Sequence, residues 1–229
     1  MTYTTTLAGR AACDEHARAF VSRWSAQAGG ELGNFALFYI ELAEVLGLPR
    51  PEPNVGGAGD YVFEKLVTYP DGSRGRADLF KSGCCVIEAK CFGRAPSNGH
   101  THATRTGRRR LSVRRGTPAW ERAMRAAARQ GARYARALAA FGSAPPFVVA
   151  ADIGFSFDLY YNPSGTGRAY VPYPGSRRLL VADLVRADVR ETLRLVLSDP
   201  SSLYELHGLP RLGTWPLYRL PTVRSLAAC

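Results

Sequence analysis

The chain has 229 residues, 46% of them hydrophobic, and a formal net charge of +11 at pH 7. That length and apolar content suit one substantial domain with a real core and exclude general disorder. No apolar run reaches the roughly 18 residues that span a bilayer. The N-terminus, Met1-Thr-Tyr-Thr-Thr-Thr6, lacks the basic start and apolar stretch of a signal peptide, so a soluble cytoplasmic protein with no membrane partner is expected.

The charge points toward a polyanion. All 30 basic residues are arginine except Lys65, Lys81 and Lys90, a bias that a GC-rich coding sequence would also produce. The five cysteines are odd in number and include no C-x-x-C pair, which fits reduced, mostly buried thiols rather than a zinc site.

Helical spacing of Ala17, Phe20, Val21 and Trp24 predicts a helix from Ala12 to Ala28, broken by Gly29-Gly30. A second, from Leu32 to Leu46, is apolar on most sides and should be buried; Gly47 and Pro49 end it. Tyr61 to Tyr69 reads as a strand, Pro70 to Ser73 as a turn, Arg74 to Lys81 and Cys84 to Phe92 as two further strands. Together they predict an antiparallel meander. Residues 93–117 hold Arg94, Arg105, Arg108, Arg109, Arg110, Arg114 and Arg115 among few apolar side chains, the composition of a long mobile loop. A helix from Thr117 to Phe141 follows, with Trp120, Met124, Ala127, Tyr134 and Leu138 inward. Pro145 to Ala151 and Phe155 to Tyr161 read as strands around an Asp152-Ile-Gly154 turn, and Tyr170 to Tyr173 as a short extended piece. Asp183 caps or precedes a last helix through Val196, and the Gly- and Pro-broken tail 204–229 carries no clear periodicity.

The third strand ends Val86-Ile-Glu-Ala-Lys90. Alternation puts Glu88 and Lys90 on one face, flanked by Val86 and Phe92, so the face is at least partly buried. A hairpin would bring Asp78 of the preceding strand close to Glu88. Two converging carboxylates repel unless a cation lies between them, and Mg²⁺ (with Mn²⁺ as a substitute) suits such oxygen ligands while keeping waters for a phosphate substrate. Asp78 and Glu88 are therefore candidate metal ligands, and Asp78, Glu88 and Lys90 a candidate catalytic set for phosphodiester hydrolysis. The plain alternative is a structural ion pair on an ordinary sheet.

Helix, strand, strand with Asp, strand with Glu-x-Lys, then helix resembles the PD-(D/E)xK nuclease superfamily. The likeness continues in Asn34–Pro51 (NFALFYIELAEVLGLPRP), Tyr61–Glu64, Gly75–Lys90 (GRADLFKSGCCVIEAK), Pro145–Ala150 and Asp152–Tyr160. These segments resemble the N-terminal region of MmeI-type single-chain restriction–modification enzymes over about residues 12 to 203. The resemblance implies an α/β domain, 1–203, with a restriction-endonuclease-like core: a central mixed sheet flanked by helices. It implies a Mg²⁺-dependent DNA endonuclease of restriction type, with Asp78 and Glu88 as metal ligands and Lys90 as catalytic lysine. Gln130 to Tyr134 looks like the Gln-x-x-x-Tyr helix motif of related nucleases, which adds Gln130 as a candidate; Tyr134 as core with Gln130 a solvated neighbour is the alternative. Glu64 could add a third carboxylate or simply pair with Lys65 or an arginine, and Glu41 or Glu44 could face the metal.

In that family a class I S-adenosylmethionine-dependent DNA methyltransferase and a target-recognition domain follow the nuclease module. This chain is too short to hold them, and Asn162-Pro-Ser-Gly165 lacks the second proline and the aromatic of the methyltransferase motif, so it reads as a turn. A separate methyltransferase or specificity subunit is then a candidate partner. Arg105, Arg108, Arg109, Arg110, Arg114 and Arg115 would contact DNA phosphates, or their segment is a disordered, sequence-variable insertion. A catalytically silent DNA-binding or docking remnant is the rival reading.

Overall fold

The computed structural model describes residues 7–26, 34–55, 59–92, 113–140, 142, 144–174 and 176–209. Arg94, Arg105, Arg108, Arg109 and Arg110 lie outside them, as does the tail beyond residue 209.

Helix α1 spans Leu7–Ala26 and α2 Phe35–Val45. The end of α2 is set by Gly47, whose φ of 63° lets Leu48 N–H reach back to the Ala43 carbonyl at 2.8 Å. Three strands follow: β1 (Tyr61–Thr68), β2 (Arg74–Lys81) and β3 (Cys85–Lys90), the expected antiparallel meander with its third strand shorter at both ends. The turn between β1 and β2 closes on the Asp71 carboxylate, which accepts from Ser73 N at 2.9 Å and Oγ at 2.6 Å.

From β3 the chain crosses through α3 (Pro118–Ala139) to β4 (Phe147–Asp152). A crossover of this kind is what parallel neighbours need, and β4 lies parallel to β3. β5 (Ser156–Tyr161) returns antiparallel, and β6 (Val171–Pro172) and β7 (Arg178–Leu180) share its outer edge. The result is a seven-stranded mixed sheet in the order β1-β2-β3-β4-β5-β6, with β7 on β5. The fold is α/β, a central mixed sheet flanked by helices.

The last part of the chain departs from expectation. Asp183 precedes the helix α4, Ala187–Ser198, as the second of the two expected alternatives has it, but sits inside a 3-10 turn, Val181–Val185, and does not cap it. α4 is not the last helix either. Asp199 accepts Ser202 N–H and starts α5, Pro200–Leu206, with Pro200 in its first turn. The two-residue β6 and three-residue β7 are too short to carry a period of their own.

Two apolar layers enclose the sheet. On one face α1, α2, the 3-10 turn, α4 and α5 pack on Ile87, Phe147, Val149, Phe157 and Leu159. Trp24 and Phe38 meet there edge to face, ring centroids 5.0 Å apart, each at most 2% exposed. Burying each such ring contributes about 1.5–3 kcal/mol. On the other face α3 alone covers Val86, Val148 and Ala150 with Trp120, Met124, Ala127 and Tyr134. Thr117 caps it, its hydroxyl accepting Trp120 N–H at 3.3 Å, with Pro118 next. No helix among the described residues is long and apolar enough to cross a membrane.

Candidate active site

The β2–β3 ladder runs from Lys81↔Cys85 to Leu79↔Ile87 and stops there. One step further, the register sets Asp78 opposite Glu88. In place of a backbone partner, the Ala89 N–H is taken by the Asp78 carboxylate at 2.7 Å. Side chain thus replaces ladder at this point. Opposite Asp78 on β1, between the pairs Phe63↔Leu79 and Lys65↔Ala77, Glu64 has a left-handed φ of 49°. That residue interrupts strand alternation: Phe63 belongs to the α2-side core and Val67, four residues on, to the α3-side core.

Glu88 is 2% exposed. Its Oε1 accepts from Lys90 Nζ at 2.5 Å, while its Oε2 is buried with no hydrogen-bond partner among the described residues. Burial, reinforced by the Asp78 charge and opposed by Lys90, pushes the Glu88 carboxyl up to about 7. Burial also raises Asp78, against the pull of the Ala89 N–H and of Lys90; the Glu64 charge adds to the rise. Lys90 is a third exposed, so this end of β3 opens to solvent. Among the described residues no group of three or more His, Cys, Asp and Glu side chains is placed to hold a metal ion. Two carboxylates, one of them an unsatisfied buried acceptor, are the donor set here, and they fit a hard cation that completes its shell with water and phosphate oxygen.

Helix α3 lies directly on this strand. A Cβ at Gly131 would stand 2.8 Å from Val148 Cγ1 and 3.7 Å from Glu88 Cβ, so only glycine lets the helix come so close. Gln130, beside it, donates from Nε2 to the Tyr134 hydroxyl at 2.8 Å, and Tyr134 in turn crowds Gly75 of β2. The Gln-x-x-x-Tyr pair is therefore one unit, Tyr134 buried and Gln130 half-buried, over β2 and β3.

Other candidates are engaged elsewhere. Glu64 pairs with Arg76 at 3.1 Å, Glu41 takes Trp24 Nε1 and Arg23, each at 2.7 Å, and Glu44 pairs with Arg50. Asn162 to Gly165 forms a turn closed by the Gly165 N–H on the Asn162 carbonyl. Arg114 is exposed and, with Arg115 and Phe155, lines a cleft of about 500 Å³.

Two residues that the sequence did not single out belong to the surroundings. Tyr39 of α2 is 1% exposed with no partner for its hydroxyl among the described residues, and its ionisation is pushed up by burial first and then by the charges of Asp78 and, more weakly, Glu88. Asp152, at the end of β4 and in register with Lys90, is fully buried. It accepts both Nε and Nη2 of Arg115, at 2.8 and 2.9 Å, the Trp120 Nε1 at 3.0 Å and the Phe92 N–H at 3.3 Å. Burial raises its carboxyl despite the arginine. Arg115 is thus committed to fastening the start of α3 to the strand that follows Lys90.

A protein-family model described as the N-terminal domain of MmeI matches residues 15–206. Neither a curated protein nor a solved structure matches the chain.

Proposed function

Because the chain belongs to the MmeI N-terminal domain family, we propose that it is the Mg²⁺-dependent DNA endonuclease module of a restriction–modification system, acting with a separate methyltransferase or specificity subunit. The observation that carries this reading is the buried, unpartnered Oε2 of Glu88 beside Asp78 and Lys90. Asp78 and Glu88 would hold Mg²⁺, or Mn²⁺ in its place. Such an ion supplies positive charge to a phosphate oxygen and helps an attacking water lose its proton. Lys90, reaching solvent from the same strand, would orient that water and offset the charge that develops on phosphorus. Gln130, held by Tyr134, would present its amide to the substrate above Glu88. Asp152 and Arg115 hold the backbone just past Lys90 in place.

The test is cleavage of supercoiled plasmid in Mg²⁺ or Mn²⁺: wild type nicks, and Asp78→Ala and Lys90→Ala do not. Equal activity in all three would remove the site assignment. The Lys90–Glu88 contact favours one other reading, a structural ion pair in a catalytically silent DNA-binding or docking remnant. Plasmid left intact by wild type in both metals is the outcome that selects it.

A further inference from the structure

The solvent side of α3 carries Arg122, Arg125, Arg129, Arg133 and Arg136, all exposed, at intervals of three and four residues. This spacing lines them along one face of the helix, over about 21 Å at roughly 1.5 Å per residue. Any surface helix shows charge to water, so the question is whether this charge is balanced. On α4 it is: Arg186 pairs with Asp188, Arg190 with Asp14 and Arg194 with Glu191. On α3 it is not. Its one acid, Glu121, is held by Arg178 at 2.5 Å and Arg177 at 3.5 Å, and Arg125 reaches it only at 3.9 Å. Arg133 lies over the Tyr69 ring, 5.0 Å from its centroid. Arg122, Arg129 and Arg136 pair with no carboxylate among the described residues.

We propose that this face of α3 is a sequence-independent docking surface for the backbone of double-stranded DNA. Arg129 and Arg133 stand two residues either side of Gly131, on the opposite side of the helix from the face that rests on Glu88, so the stripe lies on the same side of the sheet as the candidate active site and a helix's width above it. A row of one sign matches the uniform charge of a phosphate backbone. A protein partner would call for an apolar centre, and none of the exposed large hydrophobic residues, Leu37, Val55, Leu66, Val185 and Leu206, is on α3. A membrane surface would call for a free apolar face, and that of α3 is spent on the sheet. The docking surface stands on charge and placement; that the docked duplex is also substrate rests on the endonuclease reading.

The two are separated by measuring binding in EDTA, where no cleavage occurs. The probes are fluorescent duplexes of roughly 30 bp, about three helical turns, in two unrelated sequences. Arg122→Gln/Arg129→Gln is compared with a charge-matched pair at α4, Arg186→Gln just before the helix with Arg194→Gln on it. The α3 pair should weaken both duplexes by the same factor and reduce the slope of log K against log salt by about 1 per arginine removed, with the α4 pair near wild type. A wild-type slope in the α3 pair would overturn the proposal and leave the stripe to an acidic protein. Equal losses in both pairs would overturn it too, since net charge would then suffice. Either result leaves plasmid cleavage, and so the endonuclease reading, to stand or fall separately.

Discussion

Replacing Glu88 by glutamine keeps the shape and an acceptor for Lys90 but removes the buried charge. With the carboxyl at 4.5 when free and about 7 in the fold, the folded protein holds a proton over that interval which the unfolded chain has released. The Glu88 contribution to wild-type stability therefore falls as pH rises from about 4.5 to 7 and is level above it. At about 1.36 kcal/mol per pH unit the gap corresponds to a few kcal/mol, which the solvent admitted beside Lys90 brings to about 2–3 kcal/mol. Glu88→Gln should thus unfold at higher urea than wild type at pH 8 in EDTA, and the two should converge near pH 4.5. The difference between the two proteins is the quantity to follow. Asp78 and Asp152 are raised as well and tilt both curves the same way, while Glu121 is lowered by Arg178 and tilts them the other way. Millimolar Mg²⁺ should then raise the wild-type midpoint and leave the variant where it is, because on the proposed reading only the ionised pair would bind it. A difference that is flat between pH 4.5 and 7, or one that favours wild type as pH rises, would refute the account of Glu88 as a carboxylate waiting for a cation.

Asp152→Ala leaves Arg115, itself 15% exposed, without its carboxylate and the Phe92 N–H without an acceptor. The cost should be about 3–5 kcal/mol in urea unfolding, and a loss below about 1 kcal/mol would show the clasp to be ornamental. Gly131→Ala gains about 1 kcal/mol of helix propensity but drives a methyl to 2.8 Å from Val148 Cγ1. Overpacking of this kind costs about 1–3 kcal/mol, so the melting temperature should drop, and a rise would mean that α3 lifts off the sheet without penalty.

The juxtaposition of Asp78 and Glu88 was legible because everything needed to join them lies within one hairpin, where turn residues fix the register and period two fixes the face. Gln130 and Tyr134 were legible as a pair by helical spacing, though their seat above Glu88 depends on Gly131, and a lone glycine in a helix does not announce what it touches. Asp152 escaped because its partners, Phe92 and Arg115, are 60 and 37 residues away and it reads locally as a turn aspartate. The arginine face of α3 has a plain period, yet the basic charge drew attention to residues 93–117, where arginines are densest. The start of α5 was written in Asp199-Pro200, a cap followed by a first-turn proline, and was hidden by the broken Leu, Gly and Pro pattern after it. β7 runs for three residues only and owes its existence to pairing with β5.

The clasp on Asp152 has a further consequence. It grips the backbone at Phe92 and the guanidinium of Arg115, so these two residues are fixed to one carboxylate. For a closed loop the entropy of closure grows only as the logarithm of its length, about 0.6 kcal/mol for each doubling. With Phe92 and Arg115 both held by Asp152, a change in the number of residues between them should cost little in stability. Lys90, two residues before the anchor, would stay where it is, which makes this junction a natural place to insert a binding or reporter peptide beside Asp78, Glu88 and Lys90.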